Sequence, residues 1–171
     1  MAASDNSATP MNTGEDEGDY YQIALLIEHL KADELDLRVS ATRSLPAIAE
    51  ALGPERVLAE LIPFVNDSTD DEDDVLLCMA EQLGNLTGLV GGSEHAHDLL
   101  VPLEQLAAVE ERTVRDKALD SMRTVAKCLG PDQLVNHFVP LVSRMTNRDW
   151  FTARISACGL FSPVYASLPT G

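Results

Sequence analysis

The side chains most able to do chemistry in this sequence are four histidines and a large set of carboxylates. His29 and His137 each stand alone within an apolar helical pattern, whereas His95 and His97 share a short connecting segment. A zinc or transition-metal site needs further His, Cys or carboxylate ligands at set spacings, and none stands at such a spacing from these histidines. We therefore expect surface or helix-capping histidines, no metal site and no cofactor.

Motifs for nucleophilic or phosphate chemistry are also missing from the sequence. It contains no G-x-S-x-G elbow, no G-x-x-x-x-G-K-[ST] loop and no G-x-G-x-x-G turn. Gly91-Gly92-Ser93 falls where one of the repeats described below ends, and its glycines suit a turn at that point. The sequence therefore predicts a protein that is not an enzyme.

The densest charge lies in the segment Asp67–Asp74, which holds six acids and no base. An EF-hand calcium loop that began at Asp67 would need glycine and glutamate where Glu72 and Cys78 stand. Carboxylates at the start of a helix also suit the positive end of its dipole. Two compatible interpretations remain, a solvated helix start and a docking site for a basic partner.

Trp150 and Phe151 are unusual because they fall between two predicted helices, where small polar residues are common. Trp150 is the only tryptophan of the chain. Either the pair folds back into the core as an anchor, or it is an exposed hot spot for a partner. Glu110-Glu111-Arg112 occupies the equivalent segment one repeat earlier. Because equivalent segments of successive repeats line up, we expect a single binding edge along them.

These segments belong to a repeat that is visible from four anchor positions. The anchors are Arg38, Leu76, Arg115 and Arg154, separated by 38, 39 and 39 residues. The residues three, seven and ten places after each anchor are apolar, a spacing that puts them on one face of an α-helix. They are Ala41, Met79, Ala118, Ala157, Leu45, Leu83, Met122, Phe161, Ile48, Leu86, Val125 and Val164. Glycines follow the first three of these helices, at Gly53, Gly91 and Gly130, and suit helix C-caps.

A first helix precedes each anchor, and Pro63, Pro102 and Pro140 recur at one register within the last three. A proline inside a helix costs about 3 kcal/mol, so this recurrence predicts a kink that belongs to the repeat. Units of about 40 residues with two helices are typical of HEAT repeats. The sequence thus predicts an all-α fold, a right-handed α-α superhelix of four tandem helical hairpins. The hairpins are expected at residues 20–55, 56–94, 95–132 and 133–171, after a disordered acidic arm at residues 1–19.

The overall charge and the cysteines restrict the partners and the compartment. A formal net charge of −16 argues against nucleic acid and against an anionic membrane surface, and it favours basic protein surfaces. No apolar run is long enough to span a bilayer, and no signal peptide is recognisable. Cys78, Cys128 and Cys158 each lie in an apolar helical pattern, so we expect buried thiols in a reducing compartment. The prediction is a cytoplasmic protein, with the nucleus left open.

Several stretches between residues 20 and 165 carry a resemblance to a known family. They include Ile62-Pro63-Phe64, Ala80-Glu81-Gln82-Leu83-Gly84, His137-Phe138-Val139-Pro140-Leu141-Val142, Asp149-Trp150-Phe151-Thr152 and Ser156-Ala157-Cys158-Gly159-Leu160-Phe161. In these stretches the chain closely resembles the N-terminal part of the scaffold (A, 65-kilodalton regulatory) subunit family of type-2A serine/threonine protein phosphatases.

The resemblance implies a non-catalytic scaffold that binds variable regulatory (B-type) subunits through its N-terminal inter-helix loops and the catalytic subunit through C-terminal repeats. By position, the regulatory-subunit site would comprise Asp71, Glu72, Asp73, Asp74, Glu110, Glu111, Trp150 and Phe151. Family members carry Glu where this chain has Asp74, a shorter side chain that is expected to weaken one contact.

The length departs from the family, which has about fifteen repeats. The four repeats here suggest a C-terminal truncation, so we expect no binding of the catalytic subunit and an exposed apolar face on the fourth hairpin that promotes self-association. An alternative from another class is a HEAT-type transport adaptor that binds basic peptides along its concave face. An adaptor would carry its acids on the second helices, whereas here they concentrate between the helices.

Overall fold

The computed structural model describes the backbone of residues 15–162 and 165 and the side chains of residues 21–162 and 165. Within these residues the chain forms nine helices, arranged as four antiparallel hairpins, and no strand. The predicted all-α solenoid of four tandem hairpins is therefore confirmed. In this part of the chain no helix combines the length and the hydrophobicity needed to cross a membrane.

Each hairpin consists of a first helix, a short loop and a second helix. The first hairpin pairs α1 (Glu15–His29) with α2 (Leu35–Arg43) and α3 (Leu45–Leu52). The second pairs α4, which runs through Pro54–Arg56, the π-helical turn Val57–Leu61 and Ile62–Asp67, with α5 (Asp73–Asn85). The third pairs α6 (Leu100–Leu106) with α7 (Arg112–Cys128). The fourth pairs α8, which runs through Pro131–Gln133, the π-helical turn Leu134–Phe138 and Val139–Thr146, with α9 (Phe151–Cys158).

The hairpins stack side by side in two layers. The first helices α4, α6 and α8 contact one another in that order, and the second helices α2, α5, α7 and α9 do the same. Stacking of this kind buries the apolar face of each hairpin only against its neighbours. The inter-helix loops of all four hairpins consequently lie in a row along one edge of the stack.

The predicted apolar positions form the core between the layers. Of the twelve positions at the offsets three, seven and ten, all those in the first three hairpins are buried, as is Ala157 in the fourth. Phe161 is the exception, because 52% of its surface is exposed and no described residue covers that side of the fourth hairpin. The last position, Val164, lies outside the described residues.

The kink predicted at the recurring prolines takes two forms. Before Pro63 and Pro140 the helix widens to a π turn, in which the N–H of Ile62 donates to the carbonyl of Val57 and that of Val139 to the carbonyl of Leu134. Proline has no N–H and cannot donate the i→i−4 hydrogen bond of an α-helix. A π turn accommodates it, because that bonding pattern is already interrupted there. Before Pro102 a 3₁₀ turn, Ala96–Leu99, precedes α6 instead.

Three local expectations need correction. The prediction of a disordered arm over residues 1–19 overlaps α1, which begins at Glu15, while residues 1–14 lie outside the described part. Gly53 ends α3 and Gly91 ends the second hairpin with positive φ, but Gly130 is extended at φ −72 and Leu129 is the C-cap of α7. Cys78 is buried as expected, whereas Cys128 and Cys158 are exposed because both lie on the outward faces of their helices.

Candidate functional site

The candidate site is the ridge, which we define as the four loops that join the helices of each hairpin. They are loop 1 (residues 30–34), loop 2 (68–72), loop 3 (107–111) and loop 4 (147–150). Neighbouring loops are joined by ion pairs and side-chain hydrogen bonds. Arg38, in the first turn of α2 after loop 1, forms ion pairs with Asp71 at 3.1 Å and with Glu72 of loop 2.

Loops 2 and 3 are linked through the first helices next to them. The hydroxyl of Thr69 donates to Gln105 Oε1 at 2.5 Å, and Gln105 Nε2 donates to Asn66 Oδ1 at 2.8 Å. Loops 3 and 4 are linked by Thr152, whose hydroxyl donates to the carbonyl of Ala108 at 2.7 Å. These bonds bring the four loops into one row, as the repeat predicted.

Arginines at three of the four anchor positions hold the loop of their own hairpin. Each guanidinium Nη1 donates to two consecutive loop carbonyls, those five and six residues earlier in the chain. Arg38 binds Ala32 and Asp33, Arg115 binds Val109 and Glu110, and Arg154 binds Arg148 and Asp149, at distances of 2.5 to 2.9 Å. The sequence contained this signal as an arginine at a fixed distance after three of the four loops, but its role was not predicted.

The second hairpin lacks such an arginine. Its anchor position is Leu76, which is buried, and loop 2 is held from the neighbouring hairpin by Arg38 instead. Hydrogen bonding from Asp71 and from the Arg38 guanidinium lowers the pKa of Glu72 to about 2. Partial burial, together with the hydrogen bond to Glu72, raises the pKa of Asp71. Of the predicted partner-binding acids at Asp71–Asp74, two are therefore engaged within the protein.

Asp73 and Asp74 remain exposed in the first turn of α5. Neither forms an ion pair within the described part of the chain, so their charges face solvent beside the positive end of the helix dipole. Both interpretations of the acidic segment are thus compatible with the geometry. The side chain of Asp74 also lines a cleft between α2 and α5, together with Asp36 and Leu77.

Glu110 and Glu111 have different roles in loop 3. Glu111 is the N-cap of α7, because its carboxylate accepts from the backbone N–H of Thr113 at 3.1 Å and from the Thr113 hydroxyl at 2.9 Å. The Thr113 N–H and hydroxyl lower the pKa of Glu111. Glu110 is exposed, and only its backbone carbonyl is used, by Arg115. Glu110 is therefore the carboxylate of loop 3 that can meet a partner without loss of a cap.

Trp150 and Phe151 project from the fourth hairpin with 67% and 59% of their surfaces exposed. The pair is exposed, so the interpretation as a core anchor is wrong, whereas the hot spot for a partner stays a prediction. A cleft of about 490 Å³ lies between loops 3 and 4, lined by Ala108, Val109, Glu110, Trp150, Phe151 and Thr152. The structure thus brings Glu110 together with both aromatic residues. Asp71–Asp74 lie apart from them, in loop 2 and in the first turn of α5.

The charges of the second helices bear on the adaptor alternative. On α2, α3, α5, α7 and α9, carboxylates and basic side chains are close to balanced. The carboxylates are Asp36, Glu50, Asp73, Asp74, Glu81, Asp116 and Asp120, and the basic residues are Arg38, Arg43, Arg112, Arg115, Lys117, Arg123, Lys127 and Arg154. A basic peptide would gain little from such a surface, whereas the ridge carries an excess of acids.

The histidines form no metal site in the structure. The rings of His97 and His137 stack with their centroids 3.9 Å apart, across the boundary between the third and fourth hairpins. In the described part of the chain no three His, Cys, Asp or Glu side chains are grouped so that they could hold a metal ion.

Comparisons with known proteins give close relatives. No protein-family model matches the chain. The chain is 53% identical over 156 residues to the PP2A regulatory A-type protein of Schizosaccharomyces pombe, and the match covers 91% of the chain and 26% of that protein. It is 53% identical over 152 residues to the beta isoform of the human 65 kDa A-type regulatory protein of serine/threonine-protein phosphatase 2A. This match covers 89% of the chain and 25% of that protein. The PP2A 65 kDa regulatory subunit of Drosophila melanogaster is 50% identical over 165 residues, covering 96% and 27%. The chain thus spans about a quarter of the length of these relatives.

Proposed function

Because the chain belongs, over the quarter of their length that it spans, to the family of the 65 kDa A-type regulatory subunits of protein phosphatase 2A, we propose that it is a non-catalytic scaffold segment. Its ridge binds a variable, B-type regulatory subunit of a serine/threonine phosphatase. The observation that carries this proposal is the cleft that Trp150 and Phe151 form with Glu110.

The chemistry of the cleft defines the partner surface that it fits. Two adjacent aromatic rings that are more than half exposed offer an apolar anchor, and exposed aromatics of this kind dominate binding energies at protein interfaces. Glu110 at the rim and the acids of loop 2 add a negative field along the same edge. The proposed partner surface therefore presents a protruding apolar side chain flanked by Lys or Arg.

The first test measures the affinity of a purified B-type regulatory subunit for the chain and two variants. Trp150→Ala removes the anchor and is expected to weaken binding by about 30-fold or more, the effect of losing a hot-spot residue. Glu110→Lys reverses a rim charge and is expected to slow association, more strongly at low salt. Glu111→Lys is a poorer test, because it would also remove the cap of α7.

Two control variants match these changes away from the ridge. Val101→Ala removes an exposed apolar side chain from α6, and Glu50→Lys makes the same charge reversal on α3. Both should bind like the unaltered chain. If Trp150→Ala and Glu110→Lys bind no worse than these controls, the ridge does not bind the regulatory subunit.

We further propose that the four hairpins present here bind the regulatory, and not the catalytic, subunit. A pull-down with the purified catalytic subunit on its own should leave it unbound, and its retention would contradict this assignment. The proposed compartment is the cytoplasm or the nucleus, where the three thiols stay reduced. Exclusion of a fluorescent fusion from both compartments would contradict that assignment.

A further inference from the structure

Glu104 is a buried carboxylate next to the ridge, and no pattern in the sequence indicates its role. It lies on α6, one turn before loop 3, and its side chain is only 7% exposed. Arg144 Nη2 donates to its Oε2 at 2.7 Å, and Arg148 Nη2 donates to its Oε1 at 3.2 Å. Each carboxylate oxygen therefore has its own guanidinium, and both arginines belong to the fourth hairpin.

Because Glu104 is buried, its carboxylate requires both of these bonds. A carboxylate removed from water must be paired and hydrogen-bonded, because an unpaired buried charge is strongly unfavourable. The two arginines are about half exposed and could stay in solvent, so the buried partner dictates where they lie. Charge-assisted bonds of this kind are stronger than neutral ones and are directional. Glu104 thus fixes the positions of Arg144 and Arg148 relative to the third hairpin.

Arg148 is the link between Glu104 and the binding cleft. It belongs to loop 4, two residues before Trp150, and its backbone carbonyl accepts from Arg154 Nη1 at 2.7 Å. On the other side of the aromatic pair, the Thr152 hydroxyl binds the carbonyl of Ala108 in loop 3. Trp150 and Phe151 are therefore bracketed by two bonds to the third hairpin, one charged and one neutral.

We propose that Glu104 is a positioning residue, which through Arg148 holds Trp150 and Phe151 against loop 3 at the separation that forms the cleft. It has a second effect on charge. By pairing with Arg148 it neutralises the one basic side chain of loop 4, so that this loop does not oppose the negative field that Glu110 offers a basic partner. The partner-binding part of this inference rests on the function proposed above, whereas the positioning part does not.

The positioning role can be measured without any partner, because Trp150 is the only tryptophan of the chain and reports on loop 4 alone. Glu104→Gln and Arg148→Gln should each speed the decay of Trp150 fluorescence anisotropy and raise its quenching by acrylamide. Arg144→Gln should have a smaller effect, since Arg144 lies on α8 and not in loop 4. The double variant Glu104→Gln with Arg148→Gln should do no more than the larger single change, because both remove one interaction.

The matched control is Glu81→Gln. Glu81 also pairs with a base of the next hairpin, Lys117 at 3.4 Å, but on the exposed surface of the second helices. It should leave Trp150 fluorescence unchanged. Arg148→Gln is the variant least able to unfold the protein, because it keeps the Glu104–Arg144 pair and changes only an exposed side chain. Unaltered anisotropy and quenching in Arg148→Gln would overturn the proposal, as would equal effects of Glu81→Gln.

Affinity for a B-type regulatory subunit separates this inference from the proposed function. If Trp150→Ala weakens binding and Arg148→Gln weakens it in the same direction, by about 3- to 10-fold, both stand. If Trp150→Ala weakens binding but Arg148→Gln and Glu104→Gln bind normally, the positioning role in binding fails and the ridge assignment survives. If Trp150→Ala has no effect while Arg148→Gln loosens Trp150, the ridge assignment fails and the positioning of loop 4 survives.

Discussion

Gly84 and Ser121 face each other where α5 packs on α7, and they mark a very close approach of two helices. A Cβ added to Gly84 would lie 2.7 Å from Ser121 Oγ, 3.0 Å from its Cβ and 3.3 Å from its Cα. The Ser121 hydroxyl uses this proximity to donate to the carbonyl of Ala80 at 2.6 Å. The contact fixes the second hairpin against the third, so that the loops above them keep their spacing.

Substitution of Gly84 by Ala is expected to destabilise the fold. Alanine is favoured over glycine in a helix by about 1 kcal/mol, but forcing a methyl group into a packed contact costs about 1 to 3 kcal/mol. The packing cost should exceed the gain in helix propensity, because the backbone at Ser121 cannot move as a flexible side chain would. Urea unfolding measures the change. Gly88→Ala is the control, since its Cβ would meet nothing within 4 Å, and equal stability of the two variants would contradict the prediction.

Removal of the Arg154 guanidinium should loosen loop 4. Arg154→Gln leaves the carbonyls of Arg148 and Asp149 without their charged donor, and we expect a loss of about 1 kcal/mol because the site is exposed to water. Hydrogen exchange of the loop 4 amides should accelerate. Arg112→Gln removes an exposed arginine that pairs only with Asp116 and should change neither quantity. Unaltered exchange in Arg154→Gln would show that loop 4 keeps its conformation without the hydrogen bonds from Arg154.

The ionisation of loop 2 gives a prediction on pH. Glu72 has a pKa of about 2 against an ordinary 4.5, so it stabilises the fold above pH 4.5 and loses that contribution as the pH falls towards 2. The raised pKa of Asp71 acts in the opposite direction, because its ionised form costs stability and protonation on acidification removes that cost. In Arg38→Gln the pKa of Glu72 should rise, as followed by carboxyl carbon NMR. Arg43→Gln, on the same helix, should leave it unchanged, and an unaltered Glu72 in Arg38→Gln would contradict the assignment.

The three cysteines should differ in reactivity. Cys128 and Cys158 are exposed and should react with a thiol reagent in the native protein, whereas Cys78 should react only on unfolding. Mass spectrometry after brief alkylation identifies the modified residues, and alkylation in denaturant provides the full count. Rapid native labelling of Cys78 would show that α5 opens more readily than its packing against α2 and α7 suggests.

The chain is expected to self-associate through the fourth hairpin. Phe161 and Ile155 are exposed, and Phe161 lines an apolar cleft of about 620 Å³ with Val139 and Val142. Sedimentation velocity should show association that increases with concentration and weakens in Phe161→Ser. Val101→Ser, a similar change at a separate exposed site, should associate like the unaltered chain. A monodisperse monomer at high concentration would refute the prediction.

The repeat could be predicted from the sequence because local periodicity decides it. Ile48 and Val125 lie on the buried face of their helices, and helical spacing alone identifies that face. Phe161 satisfies the same spacing but is exposed, because its burial depends on a neighbour and not on its own helix. The sequence placed Trp150 and Glu110 on one edge, but it could not decide between core and surface for the tryptophan.

What the sequence could not provide are the contacts between hairpins. Glu104 and Arg148 are separated by 44 residues, and nothing local to either residue indicates that they meet. The same holds for Arg38, whose position marked the repeat while its bonds to loop 2 depend on how the hairpins stack. The exposure of Cys128 and Cys158 likewise depends on which side of each helix its neighbours leave open.

The π turns before Pro63 and Pro140 have a consequence for insertions and deletions. Each turn holds one residue more than the α-helix would, so the half-helices on either side are out of phase by about 100°. Deletion of one residue from Val57–Leu61 is expected to rotate Val57 out of the core. The first hairpin, which is connected through Gly53 and Pro54, would rotate by the same angle. We therefore expect a deletion to cost less stability in the inter-helix loops than within these π turns. The rotational phase between the two halves of each of these first helices therefore depends on one extra residue.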